Sequence, residues 1–254
     1  MASSRKVDDV RLLRLLWRGA EEPSARSGLT VGRIVDAGVR VADAEGLEAV
    51  SMRRVAAELK VGAMSLYTYV PGKEELVYLM FDQVYGELDV ERSREGSWRQ
   101  RLEAFARAHW DLLHAHPWLL DVPLRRPVVG PNASDLFEYQ LSIVDGIGLD
   151  PLEMNATLDL VNEFVAGAAS RQRAIRRDAE ESGISDDEWW YRVSPTLTEV
   201  MADRHYPLSH RVGTAVAAPH LETTYLLDFG LARILDGLER LVESRMQGAQ
   251  GKVW

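Results

Sequence analysis

The stretch "SMRRVAAELKVGAMSLYTYVPGKEEL", residues 51–76, decides the fold. Ser51 has the side chain of a helix N-cap, and Met52, Val55, Ala56 and Leu59 recur at i, i+3, i+4 and i+7, one buried helical stripe. Val61-Gly62 makes a tight turn. A second helix of about eight residues, 63–70, ends where Pro71-Gly72 breaks the chain, and a longer helix is predicted from 73 to 88. Helix, short glycine-containing turn and helix is the spacing of a helix-turn-helix, whose second helix enters the major groove of DNA.

The facing of that second helix supports the reading. With Leu66 inward, Ala63 and Val70 fall beside it, Met64 and Thr68 point outward, and Ser65 and Tyr67 lie on the flanks. Tyr69 falls partly inward. A solvated helix face ordinarily carries Glu, Lys and Arg; this one is neutral and small. Thr and Met suit thymine methyls, and Ser and Thr bond to bases or phosphates. Lys73 opens the next helix, where the partial positive charge of the helix end opposes a cation by a few tenths of a kcal/mol. Glu74 and Glu75 offset that cost, and a bound phosphate would remove it. Arg53 and Arg54, in the first turn of the preceding helix, repeat the pattern.

Charge is distributed to match. The 254-residue chain carries a formal net charge of -9, which argues against a protein that coats nucleic acid or an anionic membrane. Residues 1–74 hold 12 Lys and Arg against 10 Asp and Glu, and the remainder holds 18 against 29. The N-terminal part is therefore the one able to approach a polyanion. The absence of cysteine excludes disulfides and thiolate metal sites and fits a reducing cytoplasm. No apolar run reaches the roughly 18 residues of a membrane span. Arg11 and Arg14 interrupt the N-terminal apolar residues, so no signal peptide is read there.

Helical periodicity is nearly continuous and strand signals are scarce, which predicts an all-α protein. A first helix is expected at 7–18, with Val10, Leu13, Leu16 and Trp17 on one face and Arg11, Arg14 and Arg18 on the other. A frayed, solvated helix is the plain reading; otherwise its leucine face suits packing on the DNA domain, ahead of contact between its basic face and DNA backbone. Thr30 caps a helix that stops near Gly46. Beyond "ERSREGS" the expected helices are 98–115, 134–147, 152–177, 187–202 and 221–246, with loops at 125–132 and 205–220. The predicted organisation is an extension at 1–28, a DNA-binding domain at 29–75 and a helical ligand-binding and dimerisation body at 76–254.

The stretch "LTVGRIVDAGVRVADAEGLEAVSMRRVAAELKVGAMSLYTYVPGKEELV", about residues 29–77, resembles the N-terminal domain of the tetracycline-repressor (TetR) family of bacterial transcription regulators. The matching motifs are "VADAEG", the "VAAEL-x-V" helix, "LYTYV" and "PGKEEL". The stretch "HPWLLDVPL…GPN" is similar to the C-terminal domain of the branch that includes the tetracycline repressor itself. The resemblance implies an all-helical homodimer, cytoplasmic, with two DNA domains and a ligand-binding body. By position it implies DNA contacts from Arg53, Ala63, Met64, Ser65, Tyr67, Thr68, Tyr69 and Lys73, and phosphate contacts at helix starts from Thr30 and Ser51. Gly62 stands where many members have Ser or Thr, so that hydroxyl is lost. Lys60 stands where glycine is common and offers a basic contact instead.

Two half-sites read by two-fold symmetry lie about 34–36 Å apart, so the body must dimerise. Helices 152–177 and 221–246 are the candidates, the latter through Leu227, Leu231, Ile234, Leu235, Leu238 and Leu241, with Gly230 and Gly237 allowing close approach. Candidate pocket residues are Phe105, His109, Trp110, Leu113, Phe137, Asn162, Phe164 and Arg171, with Trp118, Trp189 and Trp190 as further lining. Asn162 and Arg171 are polar within an apolar helix, as where a few groups orient a bound molecule. Most aromatics at helical spacing are simply core. His109, His114 and His116 are spaced i, i+5 and i+7, not the i, i+4 that brings imidazoles together, so no metal and no cofactor is expected. No phosphate-binding glycine loop, nucleophile elbow or H-E-x-x-H is present, which leaves an enzyme reading little support. A ligand-independent architectural DNA protein would be basic throughout. The expected function is a repressor that leaves a palindromic operator when a small apolar or aromatic molecule binds.

Overall fold

The computed structural model describes residues 8–18, 28–123, 126–216 and 224–250. Among them lie eleven α-helices and no strand: α1 Asp9–Leu16, α2 Val31–Glu45, α3 Met52–Glu58, α4 Ala63–Leu66, α5 Lys73–Tyr85, α6 Trp98–Ala115, α7 Pro131–Val144, α8 Pro151–Ser182, α9 Asp186–Val200, α10 Pro207–Val216 and α11 Tyr225–Gln250. The all-α architecture expected from the periodicity is present.

Helices α2, α3 and α4 form a small bundle closed by the start of α5. Ile34, Val55, Leu66, Val70 and Leu76 are fully buried at its centre, each stabilising the bundle by roughly 1.5–3 kcal/mol. Thr30 Oγ1 accepts from the Arg33 N–H at 3.2 Å, and Ser51 Oγ accepts from the Arg54 N–H at 3.1 Å, so both expected N-caps form. Gly38 lets α2 and α5 touch: a Cβ there would sit 2.7 Å from Met80 Sδ. Regular α4 is shorter than the expected 63–70. Its last turn continues as a tight turn in which the Tyr69 and Val70 N–H groups both bond to Leu66 O at 2.9 Å.

The body packs α6 against α7, α8 and α11. α8 opens with a capping box between Asp150 and Glu153 and ends at Gly183 in the left-handed conformation, so it outruns the expected 152–177. Pro131 starts α7 three residues before the expected 134; a proline is suited to the first helical position, where no N–H is needed. The same logic corrects the loop expected at 205–220: Pro207 opens α10. Residues 217–220 of that loop, and residue 125 of the loop expected at 125–132, lie outside the described residues.

Helix α1 is one register off the expected face. Leu12, Leu15 and Leu16 are buried, whereas Val10, Leu13 and Trp17 are exposed. It packs on α5 and reaches the body, where Trp17 Nε1 donates to Val129 O at 2.7 Å and Asp9 pairs with Arg126 at 2.5 Å. The face that packs inward is that of Leu12, Leu15 and Leu16, which shares only Leu16 with the expected one, and Arg11 and Arg14 stay in solvent. The sequence pattern could not choose between the faces because both run at helical spacing.

Candidate functional site

The short turn between α3 and α4 sets the presentation of α4. Lys60 takes φ +56°, the Lys60 N–H bonds to Ala57 O at 3.1 Å and the Val61 N–H to Ala56 O at 3.0 Å. This double closure ends α3 cleanly and turns the chain sharply into α4. Leu66 and Val70 anchor α4 in the core, which forces Met64, Ser65, Tyr67 and Thr68 outward. Met64 is 79% exposed and Tyr67 45%. Ala63 and Tyr69 are half-buried. Met64 thus buries little within its own chain.

The cations around α4 divide into two kinds. Arg53 is exposed. Arg54 is committed within the fold: its guanidinium bonds Glu45 at 2.6 Å and Glu58 at 3.1 Å. The Glu45 carboxyl is held below its usual range chiefly by that bond. The expected pattern repeat at Arg54 therefore fails, because a carboxylate on α2 lies within its reach. Lys73 Nζ donates to Leu47 O at 3.2 Å and Glu48 O at 3.5 Å, the carbonyls of the short 3-10 turn Leu47–Ala49. Those carbonyls answer the cation, so its place at the start of α5 does not by itself require an anion. Lys73 remains exposed.

Inside the body, the candidate pocket residues separate. Phe105, His109, Trp110 and Leu113 on α6 are buried, and Asn162 and Phe164 on α8 are half-buried. Phe137, 44% exposed, and Arg171 are on the surface and do not join them. Both sit on helix faces that point away from the α6–α8 contact. Trp118 is buried, but its Nε1 donates to Asp43 Oδ1 at 2.8 Å, at the junction with α2. Trp189 and Trp190 stack edge to face with each other at 4.9 Å and remain exposed. Gly230 is used within the chain, since a Cβ there would meet the Phe164 ring at 2.2 Å; Leu227, Leu231, Leu235 and Leu238 are buried there too.

Two polar residues missed from sequence complete the interior. Tyr85 Oη lies 3.5 Å from His109 Nε2, and Gln140 Oε1 accepts from Asn162 Nδ2 at 2.8 Å. Gln140 is a polar residue on the apolar face of α7, between Leu136 and Val144, a signal that marks it out only once Asn162 is found opposite it. Tyr85 stacks on Phe81 at 4.3 Å one helical turn earlier. Burial lowers the His109 pKa to about 4, against a raising contribution from Asn162, and burial pushes the Tyr85 hydroxyl up to about 12. His109 is therefore neutral at pH 7, and its buried Nδ1 makes no well-formed hydrogen bond, the Asn162 side chain being the polar group close enough to favour its protonated form. The other two histidines of this segment go elsewhere. His114 bonds Gln172, and His116 bonds Asp43 at 2.8 Å and Glu87 at 3.2 Å.

Residues 34–78 match the family described as "Bacterial regulatory proteins, tetR family", and residues 92–242 match "Tetracyclin repressor-like, C-terminal domain". The chain belongs to the TetR family. A TetR-family repressor, HTH-type transcriptional repressor DrrR1 of Streptomyces coeruleorubidus, is 42% identical over 246 residues, covering 96% of this chain and 90% of that protein. Apo ActR of Streptomyces coelicolor superposes with a TM-score of 0.70 at 28% identity, covering 87% of this chain and 99% of that one. ActR in complex with actinorhodin gives 0.66 at 28%, covering 85% and 96%. The TetR-family chain described here is thus a DNA-binding transcription regulator and not an enzyme. Among the described residues, no helix is long and apolar enough to cross a membrane.

Proposed function

We propose that the protein is a cytoplasmic homodimeric repressor whose operator is released when a small, largely apolar aromatic molecule enters the body between α5, α6, α7 and α8. One observation carries the ligand reading: His109 Nδ1 is buried without a well-formed hydrogen bond, in a wall made of Phe81, Tyr85 and Phe105. A buried polar atom left unmade costs about 1–3 kcal/mol, and a ligand polar group would remove that cost. Asn162 and Gln140 add a second polar point beside it. ActR, of related sequence and fold, holds actinorhodin.

The operator side of the reading assigns base contacts to Met64, Ser65, Tyr67 and Thr68, with Ala63 close to the backbone and Tyr69 at the edge. It assigns phosphate contacts to Arg53, Lys73, Thr30 and Ser51. Dimerisation is assigned to the exposed apolar side of α8 and α11, where Leu160, Leu226 and Phe229 lie in solvent, together with α10, which has no buried residue, and α9, where Trp189, Trp190 and Tyr191 are exposed. α6 would carry the signal. It bears His109 in the interior and ends at His116, which bonds Asp43 of α2. Ligand favours a conformation in which the two DNA domains no longer fit the half-site spacing.

The test selects a duplex from random sequence with the full-length protein and measures its release by fluorescence anisotropy, with actinorhodin as the first probe. The expected result is release by an aromatic probe, weakened at least tenfold by His109→Leu with operator affinity kept. Release that is indifferent to His109→Leu would remove the interior from the account.

A further inference from the structure

The turn that presents α4 contains an expensive residue. Lys60 has φ +56°, and among the described residues it is the one non-glycine residue with positive φ. For a side chain with a Cβ this conformation is disfavoured by steric clash with the following carbonyl, so helix ends of this kind ordinarily carry glycine or asparagine. The hydrogen bonds that close α3 here run between backbone groups of Ala56, Ala57, Lys60 and Val61. A glycine would make the same bonds without the strain. The lysine side chain is therefore kept at a cost in stability, against the local backbone preference.

The fold repays that cost only in small part, through the favourable placing of a cation at the C-terminal end of α3. Lys60 is exposed, and no ion pair or hydrogen bond of its ammonium is found among the described residues. The nearest carboxylate in the chain, Glu58, is already held by Arg54 at 3.1 Å and approached by Arg40 at 3.7 Å. The residues that follow are Gly62, whose position at the start of α4 has no side-chain cap, and then the exposed Met64, Ser65, Tyr67 and Thr68. A strained, unpaired cation next to a neutral outward face is what a polyanion on that face would use.

We propose that Lys60 is a DNA phosphate-contact residue, retained in a strained backbone conformation because its ammonium anchors the α3–α4 turn on the operator. The proposal rests on the operator reading of α4. It predicts that stability and DNA affinity respond with opposite sign to the same substitution, which an ordinary surface lysine would not produce.

Three variants separate charge from strain: Lys60→Gly, Lys60→Met and Lys60→Arg. Each is measured for its thermal midpoint, and for affinity to a duplex selected by the wild-type protein across a range of salt. Lys60→Gly should raise the midpoint by about 2–4 °C and weaken binding several-fold. The slope of log affinity against log salt should shrink by about one unit for each lysine lost from the bound complex. Lys60→Met should lose the same affinity and salt slope without the gain in midpoint. Lys60→Arg should keep both affinity and slope. An unchanged salt slope in Lys60→Met overturns the proposal even where the wild type binds its duplex tightly. A wild-type protein that selects no duplex overturns the operator reading itself, and this proposal with it.

Discussion

Helix α4 and the α9–α10 arm both hold large side chains in solvent, with opposite chemistry. On α4 the exposed residues are a methionine, a tyrosine and two hydroxyls, and Arg53, Lys60 and Lys73 surround them. On the arm they are Trp189, Trp190, Tyr191, Val200, Leu208, Val212 and Val216, among acidic residues such as Asp187, Glu188 and Glu199. The first surface is neutral, narrow and ringed by cations, which suits a groove between two phosphate rails. The second is broad and aromatic, with more carboxylates than arginines on α9 and no carboxylate on α10, and its large apolar area suits a protein surface. Exposure is common to both surfaces; the flanking charge is what distinguishes them.

The comparison breaks most visibly at the protein-facing side. Replacing Leu226 and Phe229 of α11 together by Asp should convert the dimer to monomer in sedimentation velocity. Operator affinity should drop about 100-fold or more through loss of the second half-site contact. The folded helical content should stay the same, because both side chains are exposed in the single chain.

The interior adds a pH response of its own. The folded-state pKa of His109, about 4, lies below its ordinary 6.5. As pH falls, the unfolded chain takes the proton first, so this stability is fully present above about 6.5 and is lost between there and 4. Urea unfolding should lose about 2 kcal/mol between pH 7 and pH 5, and His109→Leu should flatten that part of the profile.

Two smaller effects sharpen the DNA side. Tyr67→Ala should weaken operator binding by about tenfold, roughly 1.4 kcal/mol, with the dimer intact in sedimentation. Lys73→Ala should cost only a few-fold in affinity, because its ammonium is shared with the Leu47 and Glu48 carbonyls. A Lys73 effect larger than that of Tyr67 would mean that phosphate contacts outweigh the neutral face.

The DNA domain was legible because local rules and packing agree there. Ser51 and Thr30 cap, Leu66 points in, and the outward face follows from the helical period alone. The groups that answer Lys73 and Arg54 within the chain, the Leu47 and Glu48 carbonyls and Glu45, were not legible because they are near in space and not at helical spacing. The body was legible as helices but not as a site. Phe137 and Arg171 look like Phe105 and Asn162 in sequence, and only the packing of α6 on α8 separates surface from interior. Tyr85 and Gln140 were missed because a polar residue on an apolar face declares itself only when its partner, His109 or Asn162, is found on another helix. The register of α1 was fixed by the Trp17 bond to Val129, 112 residues away.

Amide hydrogen exchange on the full-length protein, read with and without a selected duplex, tests the central claim most directly. Saturating duplex should slow exchange at residues 62–70 and in the first turns of α3 and α5, and leave 186–216 unchanged. Protection confined to 186–216, with 62–70 exchanging as in the free protein, would contradict it.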